Sequence, residues 1–167
     1  MQYTITDDFD TSIDHYWDVY FDDAYNAELY RRLRIGREVL EVQREGEGED
    51  LVVRRKVRLT PQREVPGIVS KFVKGALMYT EQNVFTRRTN TLEVVTIPGF
   101  MADKLTTRGT YKVQALGPNK VRRTWQGEVS CSIPLVGGKV ERHIVDEVTA
   151  GYRDTTEFTR KWLQEHP

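Results

Sequence analysis

The sequence predicts an α+β fold in which a curved antiparallel sheet of about seven strands wraps on a long C-terminal helix, with two short helices after the first strand. Three observations carry this expectation. Apolar spacing is helical from Ile13 to Leu33, switches to a period of two from about Ile35, and becomes helical again after Pro134. The separators inside the alternating stretch hold the Gly, Pro, Asn and Asp residues of tight hairpins, so successive strands pair antiparallel. A sheet of that size leaves one face bare, and the amphipathic C-terminal segment is the one long element able to cover it.

The opening MQYTITDDF alternates as a strand does, with Tyr3, Ile5 and Phe9 on its apolar side. Thr11 followed by Asp14 matches a capping box, and Ile13, Tyr16, Trp17, Tyr20 and Phe21 then form one helical stripe. Asp22 and Asp23 start a second short helix reaching about Leu33, with Tyr25, Leu29 and Leu33 at every fourth position. Strands are expected at 36–45, 50–60, 77–87, 91–98, 104–116 and 120–133, with EGEGED, RRTN and LGPNK as turns. Two connections differ. PQREVPGIVSKFVKG is long enough for a short helix, and IPGFMADK puts Phe100 and Met101 where a polar turn belongs. Val140, Ile144, Val148, Tyr152, Thr155, Phe158 and Trp162 then recur every three or four residues, a helix with Gly151 near its middle.

Composition narrows the class. The 167 residues suit a single domain, 1–167, and 38% hydrophobic with 30% charged residues is far from disordered, collagen-like or membrane-spanning compositions. Lys plus Arg equal Asp plus Glu at 25 each, so no overall charge recruits nucleic acid. Residues 1–30 nevertheless hold eight acids and no Lys or Arg, which the capping of two short helices explains. A lone cysteine, Cys131, excludes an intramolecular disulfide, and the opening residues lack the basic start and apolar run of a secretory signal, so a cytoplasmic location is expected.

The order strand, two helices, six strands, long helix resembles the START-like or helix-grip superfamily (SRPBCC, birch-pollen-allergen-like) along essentially the whole chain. IPGFMADKLTTRGTYKV followed by GEVSCSIPLVGGKVERHIV resembles an uncharacterised bacterial branch of it. The resemblance implies a pocket for a hydrophobic small molecule or lipid between sheet and helix, and a gating loop at GFMA.

Alternation names the residues facing such a pocket. Arg55 falls on the apolar side of its strand, Tyr79, Glu81 and Asn83 share a side of the next, and Arg123 shares one with Trp125 and Gly127. Charges facing a core are costly unless paired, so Glu81 is expected to pair with Arg55 or Arg123. Two explanations stay open: a pocket, or shifted registers and wet strand ends. In the pocket reading Arg55, Glu81 and Arg123 orient a polar head, while Tyr79, Tyr111, Trp125, Val148 and Tyr152 contact the ligand. Gly109, Gly127 and Gly151 either clear interior space or permit bending and close packing. Ile68 and Phe72, flanked by Lys71 and Lys74, and Phe100 with Met101 are candidate lids, and the lysines permit transient membrane contact.

Catalytic signals are weak. His15, His143 and His166 are the three histidines, and the chain has no HExxH, CxxC, HxH, GxxxxGK[ST] or GxGxxG, so neither a metal nor a cofactor is expected and no catalytic residue is assigned. Binding of a hydrophobic molecule leads. A polyketide cyclase- or dehydratase-like enzyme built on Glu81, Tyr79 and Tyr111 is the alternative, and a ligand-free scaffold using Asp14, Asp18 or Asp22 is a third reading.

Overall fold

The structure, a computed structural model, describes residues 1–62, 67, 70 and 77–167. Strand β1 (Gln2–Phe9) leads into helices α1 (Ile13–Phe21) and α2 (Asp23–Arg32). Strands β2 (Ile35–Glu45), β3 (Val52–Pro61), β4 (Tyr79–Thr86), β5 (Thr91–Pro98), β6 (Leu105–Gly117) and β7 (Lys120–Cys131) follow, and α3 (Gly137–Glu165) ends the chain. The expected lid residues Ile68 and Phe72 lie outside the described residues.

The sheet runs β1-β7-β6-β5-β4-β3-β2, with every neighbouring pair antiparallel. Consecutive strands are hairpin neighbours except at one place: β1 pairs with β7, so α1 and α2 carry the chain from one sheet edge to the other. That crossing holds the two edges around a common interior. A register shift between Val39 and Glu41 adds a bulge to the free edge strand β2, which increases its twist and blunts it against edge-to-edge pairing.

The helix starts follow from capping. Asp22 Oδ1 accepts the Tyr25 amide at 2.6 Å and begins α2 as expected. At α1 the Thr11–Asp14 expectation is corrected by one residue: Ser12 is the cap, its Oγ accepting from His15 N at 3.2 Å, and Thr11 is buried. The acidic N-terminal end is engaged within the fold as well. Asp8 pairs with Arg122 at 2.7 Å, Asp14 with Arg87, and Asp7 with Arg123 at 2.6 Å.

Two buried clusters anchor α3. Phe9, Trp17, Phe85, Val113 and Val121 pack under Phe158 and Leu163, while Leu105, Val129 and Cys131 receive Val140. Each such side chain contributes about 1.5–3 kcal/mol on leaving water. The Gly-Gly start of α3 has a steric cause: a Cβ on Gly137 would lie 2.3 Å from the Cys131 carbonyl oxygen, so the helix begins where only glycine fits. The nearest neighbours of α3 are β7, β1 and α2, which leaves its middle standing away from β3, β4 and β5. No helix among the described residues is long and apolar enough to cross a membrane.

Candidate functional site

Beneath the middle of α3 lies a cavity of about 560 Å³. Arg55, Tyr79, Glu81, Tyr111, Arg123, Trp125, Val148 and Tyr152 all line it, as do Phe100 and Gly151. Met101 does not. It packs beside Leu105 and Val140 in the second cluster, with a left-handed backbone (φ 53°).

All eight tyrosines of the chain line this one space. Tyr16 and Tyr20 come from α1, Tyr25 and Tyr30 from α2, Tyr3, Tyr79 and Tyr111 from strands, and Tyr152 from α3. Burial pushes the Tyr20 hydroxyl up to about 12 against the opposing pull of Arg55, and it raises Tyr30, Tyr111 and Tyr152 well above the ordinary phenol value. These phenols therefore stay neutral around physiological pH, as aromatic faces with polar tips.

The three expected charges do not form one group, which corrects the pairing of Glu81 with Arg55 or Arg123. Arg123, only 2% exposed, donates from Nη2 to Asp7 Oδ2 at 2.6 Å and to Thr156 Oγ1 at 2.7 Å. Its guanidinium also lies 5.0 Å from the Phe9 ring centre and 5.2 Å from that of Tyr152. The register explains the choice of partner: β1 sets Asp7 directly opposite Arg123. Arg55 instead donates from Nε to the Asn83 amide oxygen at 3.2 Å and sits over the rings of Tyr20 and Phe21. Glu81 is left without an ion pair among the described residues. Burial raises its pKa from the ordinary carboxylate value, opposed by Arg55 and Arg37.

The aromatic wall shows what the glycines do. Gly109 and Gly127 are opposite one another, and a Cβ at Gly109 would lie 2.4 Å from the Trp125 ring, one at Gly127 2.4 Å from that of Tyr3. They seat rings rather than clear ligand space. Trp125 thereby packs against Tyr111 and Tyr152, which stack at 5.7 Å and 21°. Gly151 differs, since a Cβ there would meet nothing within 4 Å among the described residues.

Sequence reading missed Asp7, Thr156, Arg37 and the four helical tyrosines as parts of this site. The signal for Asp7 was present, because it shares the alternation of Tyr3, Ile5 and Phe9. Arg37 likewise faces inward opposite Leu59, one strand over from Arg55. No group of three or more His, Cys, Asp or Glu among the described residues is placed to hold a metal ion.

A family model described as "Protein of unknown function (DUF2505)" matches residues 4–163. The chain belongs to that family. No curated protein matches it in sequence. Among solved structures it is similar to the Zhui aromatase/cyclase from Streptomyces sp. R1128, with 11% identity, 98% of this chain and 93% of that one covered, and a TM-score of 0.66. A START superfamily protein from Mycobacterium smegmatis matches at 12% identity, 99% of each chain and a TM-score of 0.61. Norcoclaurine synthase from Thalictrum flavum, solved with dopamine and hydroxybenzaldehyde, matches at 18% identity, 100% of this chain and 89% of that one, with a TM-score of 0.56. At these identities the likeness is one of fold, and it is the START-like helix-grip fold.

Proposed function

We propose that this DUF2505 member binds a hydrophobic small molecule, a lipid included, in the cavity between sheet and α3. The observation that carries the reading is the hollow itself: about 560 Å³, partly open and lined mainly by aromatic and aliphatic side chains with a few charged ones, within the roughly 300–1,000 Å³ range of ligand pockets. A helix that served only to complete a core would bury side chains along its length, yet none of residues 141–155 is buried. The fold supports the reading by analogy, since START-like proteins hold hydrophobic molecules in this position. Native mass spectrometry after gentle purification tests it. A co-purified mass removable by organic extraction is the expected result. Detection of the bare chain alone, together with no response of intrinsic tryptophan fluorescence to apolar probes, overturns the proposal.

A second reading has one observation in its favour. Glu81 is a cavity carboxyl with no ion-pair partner among the described residues and an upward-shifted pKa, the setting of a general acid or base in a cyclase- or dehydratase-like reaction. Glu81→Gln separates the two, because an enzyme loses turnover while a carrier has none to lose.

A further inference from the structure

Among the described residues three guanidinium groups line the cavity, from Arg37, Arg55 and Arg123, and one of the three has an ion-pair partner. Arg123 has Asp7. Arg55 uses Nε on a neutral amide oxygen and otherwise rests on the rings of Tyr20 and Phe21, at 5.3 and 4.8 Å. Arg37 contacts the Tyr30 ring, 5.4 Å from its centre. Neither has a carboxylate oxygen within ion-pair distance among the described residues. The contrast with the outer face of the same two strands is direct, since Arg58 of β3 pairs there with Glu38 of β2 at 2.8 Å.

The register brings the two inward arginines and Glu81 together. Arg37, Leu59 and Tyr79 form one row across β2, β3 and β4, and Val42, Arg55 and Asn83 form another. Glu81 stands in the row between, with Val39 and Val57. The titratable and charged groups around Glu81 are Arg55 from β3, Arg37 from β2, Tyr20 from α1, Tyr30 from α2 and Tyr79 on its own strand. From α3 the same cavity receives His143, Glu147 and Asp154.

We propose that the ligand is a hydrophobic carboxylic acid, its carboxylate received by Arg37 and Arg55 at the β2–β3 wall and its apolar body lying against the tyrosine-lined remainder of the cavity. This rests on the binding reading above and names the head group. Guanidinium is the side chain best shaped for a carboxylate, and a charge-assisted hydrogen bond is about twice as strong as a neutral one. An ionised Glu81 would repel such a head. Burial favours its neutral form, in which the hydroxyl donates to the incoming carboxylate instead. A monoanion between the two arginines offsets their positive charge rather than adding an unpaired one.

One chromophore with three head groups tests the inference: 1-pyrenebutyric acid, its methyl ester and 1-pyrenemethylamine, titrated into the full chain and followed by fluorescence. The acid is expected to bind at least about tenfold tighter than the ester, with the amine weakest. Arg37→Gln and Arg55→Gln should each shrink the acid-to-ester ratio toward one, while Arg55→Lys keeps part of it. Ester binding by the same variants reports that the cavity is intact. Equal binding of acid and ester, a preference for the amine, or an unchanged ratio in both Gln variants overturns the head-group inference and leaves the binding reading standing. Failure of all three compounds to bind overturns both.

Discussion

The space under α3 has two ends built from the same materials and put to different use. At one end Thr156, Phe158, Thr159 and Leu163 are buried, and the inward charge, Arg123, is matched by Asp7 and Thr156. At the other, residues 141–155 bury nothing completely, Gly151 faces open space, and Arg37, Arg55 and Glu81 have no ion-pair partner among the described residues. The pairing of β1 with β7 sets Asp7 against Arg123 at the first end, whereas at the second β4 brings Glu81 near Arg37 and Arg55 without an ion pair among the described residues. An inward charge supplied with its partner by the fold is structure. One left without a partner is available to a ligand.

The largest effect expected from breaking this contrast is at the sealed end. Asp7→Ala leaves the Arg123 side chain, 3% exposed, without its carboxylate partner, though still bonded to Thr156, and should cost about 3 kcal/mol or more in urea unfolding. Glu81→Gln removes no ion pair and should leave the midpoint unchanged or slightly higher. Comparable losses in the two variants would erase the distinction between the ends.

Next in size are the glycines. Gly127→Ala drives a Cβ into the Tyr3 ring beside Trp125 and should destabilise by about 1–3 kcal/mol, whereas Gly151→Ala should gain up to about 1 kcal/mol from helix propensity alone. Calorimetry on both variants reads the sign directly. Gly151→Leu extends the test by filling the hollow, and it should weaken pyrenebutyrate binding without unfolding the chain. A destabilising Gly151→Ala would mean that α3 packs more closely there than the open space around it implies.

How much of this was legible beforehand follows from the physics of each signal. Element order was readable because periods of two and near four are local properties of the chain, and the turns carry their own Gly, Pro and Asn. Inward assignment of Arg55, Glu81 and Arg123 was readable for the same reason. Partner choice was not. It depends on which strand lies beside which, and the joining of β1 to β7, residues more than a hundred positions apart, is a closure that no local pattern announces. The tyrosines of α1 and α2 were legible as an apolar stripe, but whether a stripe faces a filled seam or a hollow is decided by the distance between elements. Gly109 and Gly127 had the same ambiguity, and the Trp125 and Tyr3 rings settle it on the side of packing.

The smallest expected effect is a slope. Well below the ordinary carboxylate value Glu81 is protonated in folded and unfolded chains alike and contributes nothing. As pH rises, the unfolded carboxyl ionises first while burial holds the proton on the folded one, so this group lowers stability through the window between its ordinary and its raised pKa, and the loss levels off above that. Asp8 and Glu28 act with the opposite sign: hydrogen bonds to Arg122 and Arg31 hold their pKa values down, so they favour folding above the ordinary carboxylate range and lose that effect as pH falls. Their contribution is common to wild type and Glu81→Gln and cancels in the difference between them. Denaturant midpoints measured from about pH 4 to about pH 8 should therefore show Glu81→Gln gaining on wild type as pH rises, then running parallel to it. A difference that is flat, or that favours wild type at the higher pH, would mean that Glu81 is ionised and paired in the folded chain, and the hollow end would then carry its charges in the same way as the sealed one.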